Sequence, residues 1–266
     1  MQSNNIVVVS IVAVVIVAII AGSFVFMNSD NESDVERYGI VGALEEEVET
    51  LIGAMEETRC EKIGDMEFHI GTLNGKDVVV AQCGYGKVNA AICTQTMITI
   101  FNVTAVINSG VAGTLSEEVG VGDIVVSTET VQHDFELEEI GFEPGLIPNV
   151  GTVAIKADDK LREAAVKAIS ESSAGIEVFQ GRICSGDQFI SGSEEMNKII
   201  DSFGGLCCEM EGGAIAQTCY LNNVPFVVVR AISDDVDGRG PADYMEFEKE
   251  MAAVCADMTM RMLKEL

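Results

Sequence analysis

Phe226-Val227-Val228-Val229 is a continuous run of apolar, β-favouring residues, and it is followed by Arg230, Ser233, Asp234 and Asp235. A run without polar alternation suits a strand covered on both faces, the state of a strand inside an α/β sheet. Polar residues at its carboxyl end then fall where sheets of that class hold ligands. The rest of the chain repeats the theme. "YGIVGAL" (38–44), "KDVVVAQCG" (76–84), "AVINSGVAG" (105–113), "GDIVVSTE" (122–129) and "EVFQGRICSGD" (177–187) read as strands. "KVNAAICTQTMITIF", "DDKLREAAVKAISE" and "DYMEFEKEMAAVCADMTMRMLKEL" read as helices between or after them. This alternation predicts an α/β fold: a single three-layer domain over 38–266, with a mixed, mainly parallel central sheet and helices on both faces.

Composition agrees. Hydrophobic residues make up 48% of the 266 with only 6% aromatics, which is enough for a core and excludes disorder. The net charge of -27 repels phosphate backbones, so no nucleic-acid partner is expected. Cysteines stand at 60, 83, 93, 184, 207, 208, 219 and 255, without a C-x-x-C pair, and the chain has two histidines, His69 and His133. That spacing argues against a zinc site, and no metal or cofactor is expected.

Residues 6–26 carry no charge, and as a helix they would span about 31 Å, the thickness of a bilayer's hydrocarbon core. The expected organisation is an N-terminal membrane anchor or signal segment (1–27), a polar linker (28–37) and the α/β domain (38–266). An uncleaved anchor is favoured over a cleaved signal, since a basic n-region is missing. Arg37 alone is positive in the segment just beyond the helix, which by the positive-inside rule places the α/β domain outside the cytoplasm.

Several polar clusters fall at strand ends. Glu45, Glu46 and Glu47 open a helix, where carboxylates are favourable without any catalytic role; spacing does not single one out. Glu209 and Glu211 flank Met210, and a strand continuing through them would put both carboxylates on one face. Near a core they need partners, which ribose hydroxyls or Arg230 could supply. "NSGVAGTL" and "SGDQFISG" are turns, neither of them a phosphate-binding fingerprint. Phe189 alone reads as core and His133 as a loop residue.

In this order, "GIVGALEEEV", "CGYGKVNAA", "INSGVAG", "VGDIVVS", "SGDQFI", "CEMEGGAIA" and "VPFVVVRAISD" resemble the bacterial 5'-methylthioadenosine/S-adenosylhomocysteine nucleosidases of the purine nucleoside phosphorylase-like superfamily. The resemblance implies a homodimer that releases adenine from 5'-substituted adenosines, 5'-deoxyadenosine included. It implies that Glu47 activates water, Asp234 protonates the purine, and Glu211 with Met210 holds the ribose. Phe189 would stack on adenine with Ile190 at its edge, Gly113 would line the site, and Arg230 and Ser233 would orient the catalytic groups. Val111 stands where the family often has Ser, Tyr85 where it is often aliphatic, and Tyr244 where it often has Phe, near the 5'-substituent. Ile140, Phe142 and Pro148 fall in a loop that in the family caps the neighbouring subunit's site. Rival readings are a phosphate-dependent phosphorylase, a futalosine hydrolase, and a surface nucleoside-binding protein without catalysis.

Overall fold

The computed structural model describes residues 36–171, 175–234 and 241–266, with 241–246 described as backbone alone. In chain order the strands are β1 (Arg37–Gly42), β2 (Glu56–Ile63), β3 (Met66–Leu73), β4 (Lys76–Gln82) and β5 (Ala105–Thr114). They continue as β6 (Ile124–Gln132), β7 (Ala154–Lys156), β8 (Val178–Ser185), β9 (Cys207–Glu209) and β10 (Phe226–Asp234). The helices are α1 (Glu45–Ala54), α2 (Lys87–Phe101), α3 (Asp159–Ser170), α4 (Ser193–Phe203), α5 (Gly212–Asn222) and α6 (Pro241–Glu265).

The strands form one sheet whose path returns on itself. β5 pairs with β10, β10 with β6, β6 with β8, β8 with β9, and β9 back with β5. Closure removes the unpaired edges that an open sheet would leave. From β5 the sheet also extends through β1, β4, β3 and β2. β5 is therefore the seam, bonded to β1 by its first half and to β9 by its last residues.

The sheet is mixed, as expected, but its parallel ladders are no majority. β1–β4, β1–β5, β5–β10, β6–β8 and β8–β9 are parallel; β6–β10, β2–β3, β3–β4, β5–β9 and β6–β7 are antiparallel. The antiparallel share comes from the hairpin at the open end and from the short strands that close the ring.

The apolar runs form the interior. Ile40, Val78 to Val80, Val106, Ile107, Val125 and Val227 to Val229 are almost wholly buried. α6 packs across β5, β10, α1 and α3, and α2 packs on α5. Among the described residues, no helix is long and apolar enough to cross a membrane. The apolar run at 6–26 lies outside the described residues.

Candidate active site

The carboxyl ends of β5 and β10, the start of α1, and the turn between β9 and α5 enclose a cleft. Glu47, Val111, Gly113, Cys208, Met210, Glu211, Arg230 and Asp234 line it, with Tyr85, Gln188, Phe189 and Ile190 toward the mouth. Tyr85 is 58% and Phe189 50% exposed.

At its base lies a guanidinium inside the protein. Arg230 is only 1% exposed, the largest of the fully buried side chains. Its Nη2 donates to Asn108 Oδ1 at 2.6 Å, to Glu209 Oε2, and to Glu211 Oε2 at 3.4 Å; Nη1 donates to the Val111 carbonyl at 3.1 Å. Glu47 Oε1 stands 3.9 Å from Nη1. Burial opposes the charge of Arg230, but the surrounding carboxylates outweigh it and raise its pKa above the ordinary value. A buried cation persists only with such pairing.

Each carboxylate is held differently. Glu47, at the third position of α1, reaches back so that Oε2 accepts the backbone N–H of Ala43 at 2.6 Å and of Leu44 at 3.1 Å. Such a return from the third helical position satisfies donors that a helix start leaves free. Its Oε1 accepts the N–H of Val111 at 2.9 Å. Burial pushes the Glu47 carboxyl above its usual range, while Arg230 and these backbone donors pull it back toward the ionised form. Of the three glutamates at the helix start, Glu47 alone is buried.

Glu209 is a hub. Its Oε2 accepts the N–H of Glu211 at 3.0 Å and of Gly212 at 2.7 Å, while Ser185 Oγ donates to Oε1 and accepts the Gly213 N–H at 2.6 Å. A carboxylate thus meets the first turn of α5, where the helix dipole favours it. β9 stops at Glu209 and Glu211 is the N-cap of α5, so the expected strand through both residues does not form. The two carboxylates meet on Arg230 because the chain turns into a helix between them. Glu211 Oε1 also accepts the N–H of Gly86 at 2.8 Å. Gly86 has φ 90°, and a Cβ there would press on Asp187 Oδ1 at 2.9 Å, so the turn requires glycine. Burial first, then the charge of Glu209 against the pull of Arg230, lifts Glu211 to about 7.

Asp234 ends β10 beyond a shift in register with β5, between Ile232 and Asp234. Such a bulge re-aims the side chain that follows it. Ser233 Oγ donates to Asp234 Oδ1 at 2.9 Å. A Cβ on Gly113 would lie 2.7 Å from Asp234 Oδ2, so only glycine lets the carboxyl lie against β5.

Of the residues expected from sequence, Glu47, Gly113, Phe189, Ile190, Met210, Glu211, Arg230 and Asp234 line this one cleft. Ser233 is buried behind it, against Asp234. The side chain of Tyr244 and all of Asp235 lie outside the described residues. Asn108 and Ser185 had no role assigned from the sequence: a polar residue in β5 or at the end of β8 shows nothing of its buried partner, Arg230 for the first and Glu209 for the second.

A family model described as the phosphorylase superfamily matches residues 37–266. A 5'-methylthioadenosine/S-adenosylhomocysteine nucleosidase of Actinobacillus succinogenes is 43% identical over 231 residues, covering 86% of this chain and 99% of the relative. The crystal structure of such a nucleosidase from Neisseria meningitidis, in complex with methylthio-immucillin-A, superposes with a TM-score of 0.82 at 38% identity. That match covers 87% of this chain and all of the other. The futalosine hydrolase of Helicobacter pylori superposes with a TM-score of 0.81 at 32% identity, over 87% of this chain and 99% of its own.

Proposed function

The chain belongs to the phosphorylase superfamily and, within it, to the 5'-methylthioadenosine/S-adenosylhomocysteine nucleosidases, and we propose that it hydrolyses the N-glycosidic bond of these two nucleosides, releasing adenine and the thioribose product. 5'-Deoxyadenosine is a further candidate substrate. The observation that carries this reading is the meeting of Glu47, Glu211 and Asp234 in one cleft, the first two beside a single buried guanidinium.

Cleavage of the bond between C1' and N9 leaves positive charge on the sugar and negative charge on the purine, as in other glycoside hydrolyses. Asp234 gives its proton to N7, so that adenine departs neutral. Glu47 takes a proton from the attacking water as its oxygen bonds to C1'. Glu211 accepts the ribose hydroxyls beside Met210, and Phe189 covers the purine with Ile190 at its edge. Gly113 leaves room for Asp234, while Arg230 and Ser233 fix the acidic groups. Carboxylates outnumber the cation here, which favours a sugar that becomes positive. The proton taken by Glu47 and the one lost by Asp234 balance once solvent resets both.

Arg230 is the one basic side chain among the described residues that line the cleft, and it is already surrounded by carboxylates. An attacking phosphate would meet excess negative charge, which favours water over phosphorolysis. The purified chain is expected to release adenine from methylthioadenosine at the same rate with and without phosphate. Strict phosphate dependence would make it a phosphorylase, and stoichiometric retention of nucleoside without product would make it a binding protein. Futalosine belongs in the same panel, because the likeness to a futalosine hydrolase is as close in fold.

The active form we propose is a homodimer anchored by residues 6–26, with the catalytic domain outside the cytoplasm. Support for association comes from Val88 and Ile92 on α2 and from Ile140 and Phe142, all of them exposed apolar residues. Sedimentation of the detergent-solubilised chain tests the dimer. Protease treatment of intact cells tests the placement, which complete resistance would overturn.

A further inference from the structure

Seven of the eight cysteines are buried, and the exposed one is Cys60 on β2. Directly across the β2–β3 ladder stands His69, one of only two histidines in the chain. Residues opposite each other in an antiparallel pair share a face, and so does Glu67, two positions before His69. The pairing depends on a register shift between Glu56 and Arg59. Without that irregularity, the side chains of β2 would slip to the other face. Sγ, a carboxylate oxygen and an imidazole nitrogen from these three residues all lie within 4.8 Å of one another.

We propose that Cys60, Glu67 and His69 bind one zinc(II) ion on the β2–β3 hairpin, a site separate from the nucleoside cleft and independent of the nucleosidase reading. The donor set is thiolate, imidazole and carboxylate, which matches zinc by softness, and water completes the coordination. Metal bonds of about 2.0–2.3 Å put tetrahedral donors about 3.4–3.7 Å apart. The three atoms therefore close by about 1 Å, a side-chain adjustment that suits a strand exposed along its whole length. Lys62 pairs with Glu67 at 3.9 Å, an exposed contact that yields readily to a divalent ion. Binding releases the Cys60 proton to solvent and involves no redox change. Cys60 precedes Glu67 and His69 on the neighbouring strand, so only the register of the hairpin brings the three together. The ion would fasten the outermost strand of the sheet to its neighbour.

The full chain, reduced and stripped of metal with chelator, is titrated with cobalt(II) and then zinc(II). One equivalent of cobalt is expected to give thiolate-to-metal charge-transfer absorption, which zinc abolishes. Cys60→Ser removes the band, and His69→Gln weakens zinc binding at least tenfold. Adenine release without metal stays unchanged in both, since neither residue lines the cleft. Cys60→Ala replaces the serine variant should that one fail to fold. An absent band, a band that persists in the Cys60 variants, or equal zinc affinity in all forms would overturn the site and assign the cation to the acidic surface at large.

Discussion

Two groups of opposite charges sit at the two ends of this sheet, and they differ in everything but chemistry. On the hairpin, Arg59 pairs with Glu61 at 3.0 Å, with side chains 64% and 46% exposed. At the ring, Arg230 and its three glutamates are almost fully enclosed. Water already solvates the first pair, so its geometry contributes little. In the second, both oxygens of each glutamate and the Nη groups of Arg230 are held by protein partners, several of them backbone N–H groups at the end of β9 and the starts of α1 and α5. Burial turns a charge pair from ornament into a constraint on the fold.

The largest effect should follow from removing the buried cation. Arg230→Met leaves Glu47, Glu209 and Glu211 facing one another, and a loss of about 3–5 kcal/mol in denaturant unfolding is expected. A loss below about 1 kcal/mol would mean that the interior cluster behaves like the surface pair. Next comes Glu47→Gln. The amide cannot accept from the N–H groups on both sides, and turnover should fall about 10²–10⁴-fold in an adenine-release assay, with Asp234→Asn behaving alike. Near-normal rates in either variant would break the assigned roles.

A smaller effect concerns pH. Glu211 holds its proton up to about 7, above the ordinary carboxyl range it has in the unfolded chain. The native state therefore binds more protons between those values, so the stability this group contributes is full at low pH and is lost as pH rises through about 7. In its proposed role Glu211 would make ribose binding run the other way, because the ionised form accepts the hydroxyls. Affinity for an unreactive nucleoside analogue, measured by calorimetry, should approach a tenfold fall per pH unit below about 7. Glu211→Gln should flatten that profile; an unchanged slope would place the titration elsewhere. Smallest of all, Arg59→Ala should shift stability by about 0.5 kcal/mol or less, and more than that would show the hairpin to be structured by its charges.

The same contrast explains what the sequence could reveal. β1, β4, β5, β6 and β10 each contain a short apolar run of consecutive buried residues, such as Val78–Val80, Ile124–Val126 and Phe226–Val229, and those runs mark strands covered on both faces. The β2–β3 hairpin was not legible, because every side chain of β2 is exposed and leaves no period to read. Ring closure was equally hidden, since β9 is only three residues long. At the site, the polar residues at the ends of β5 and β10 could be located from their apolar strands. Glu47 could not be told from Glu45 and Glu46 by spacing, because burial distinguishes it. Glu209 reads as an ordinary salt-bridge partner until its contacts with the start of α5 are seen.

The ring's closure also orders events while the chain is being made. β5 is made before its partners β9 and β10, which lie far later in the chain. Glu47 is synthesised long before the guanidinium that neutralises it. Until β9 and β10 are made, β5 lacks two of the strands that pair with it, and an uncovered strand edge of this kind is open to mispairing.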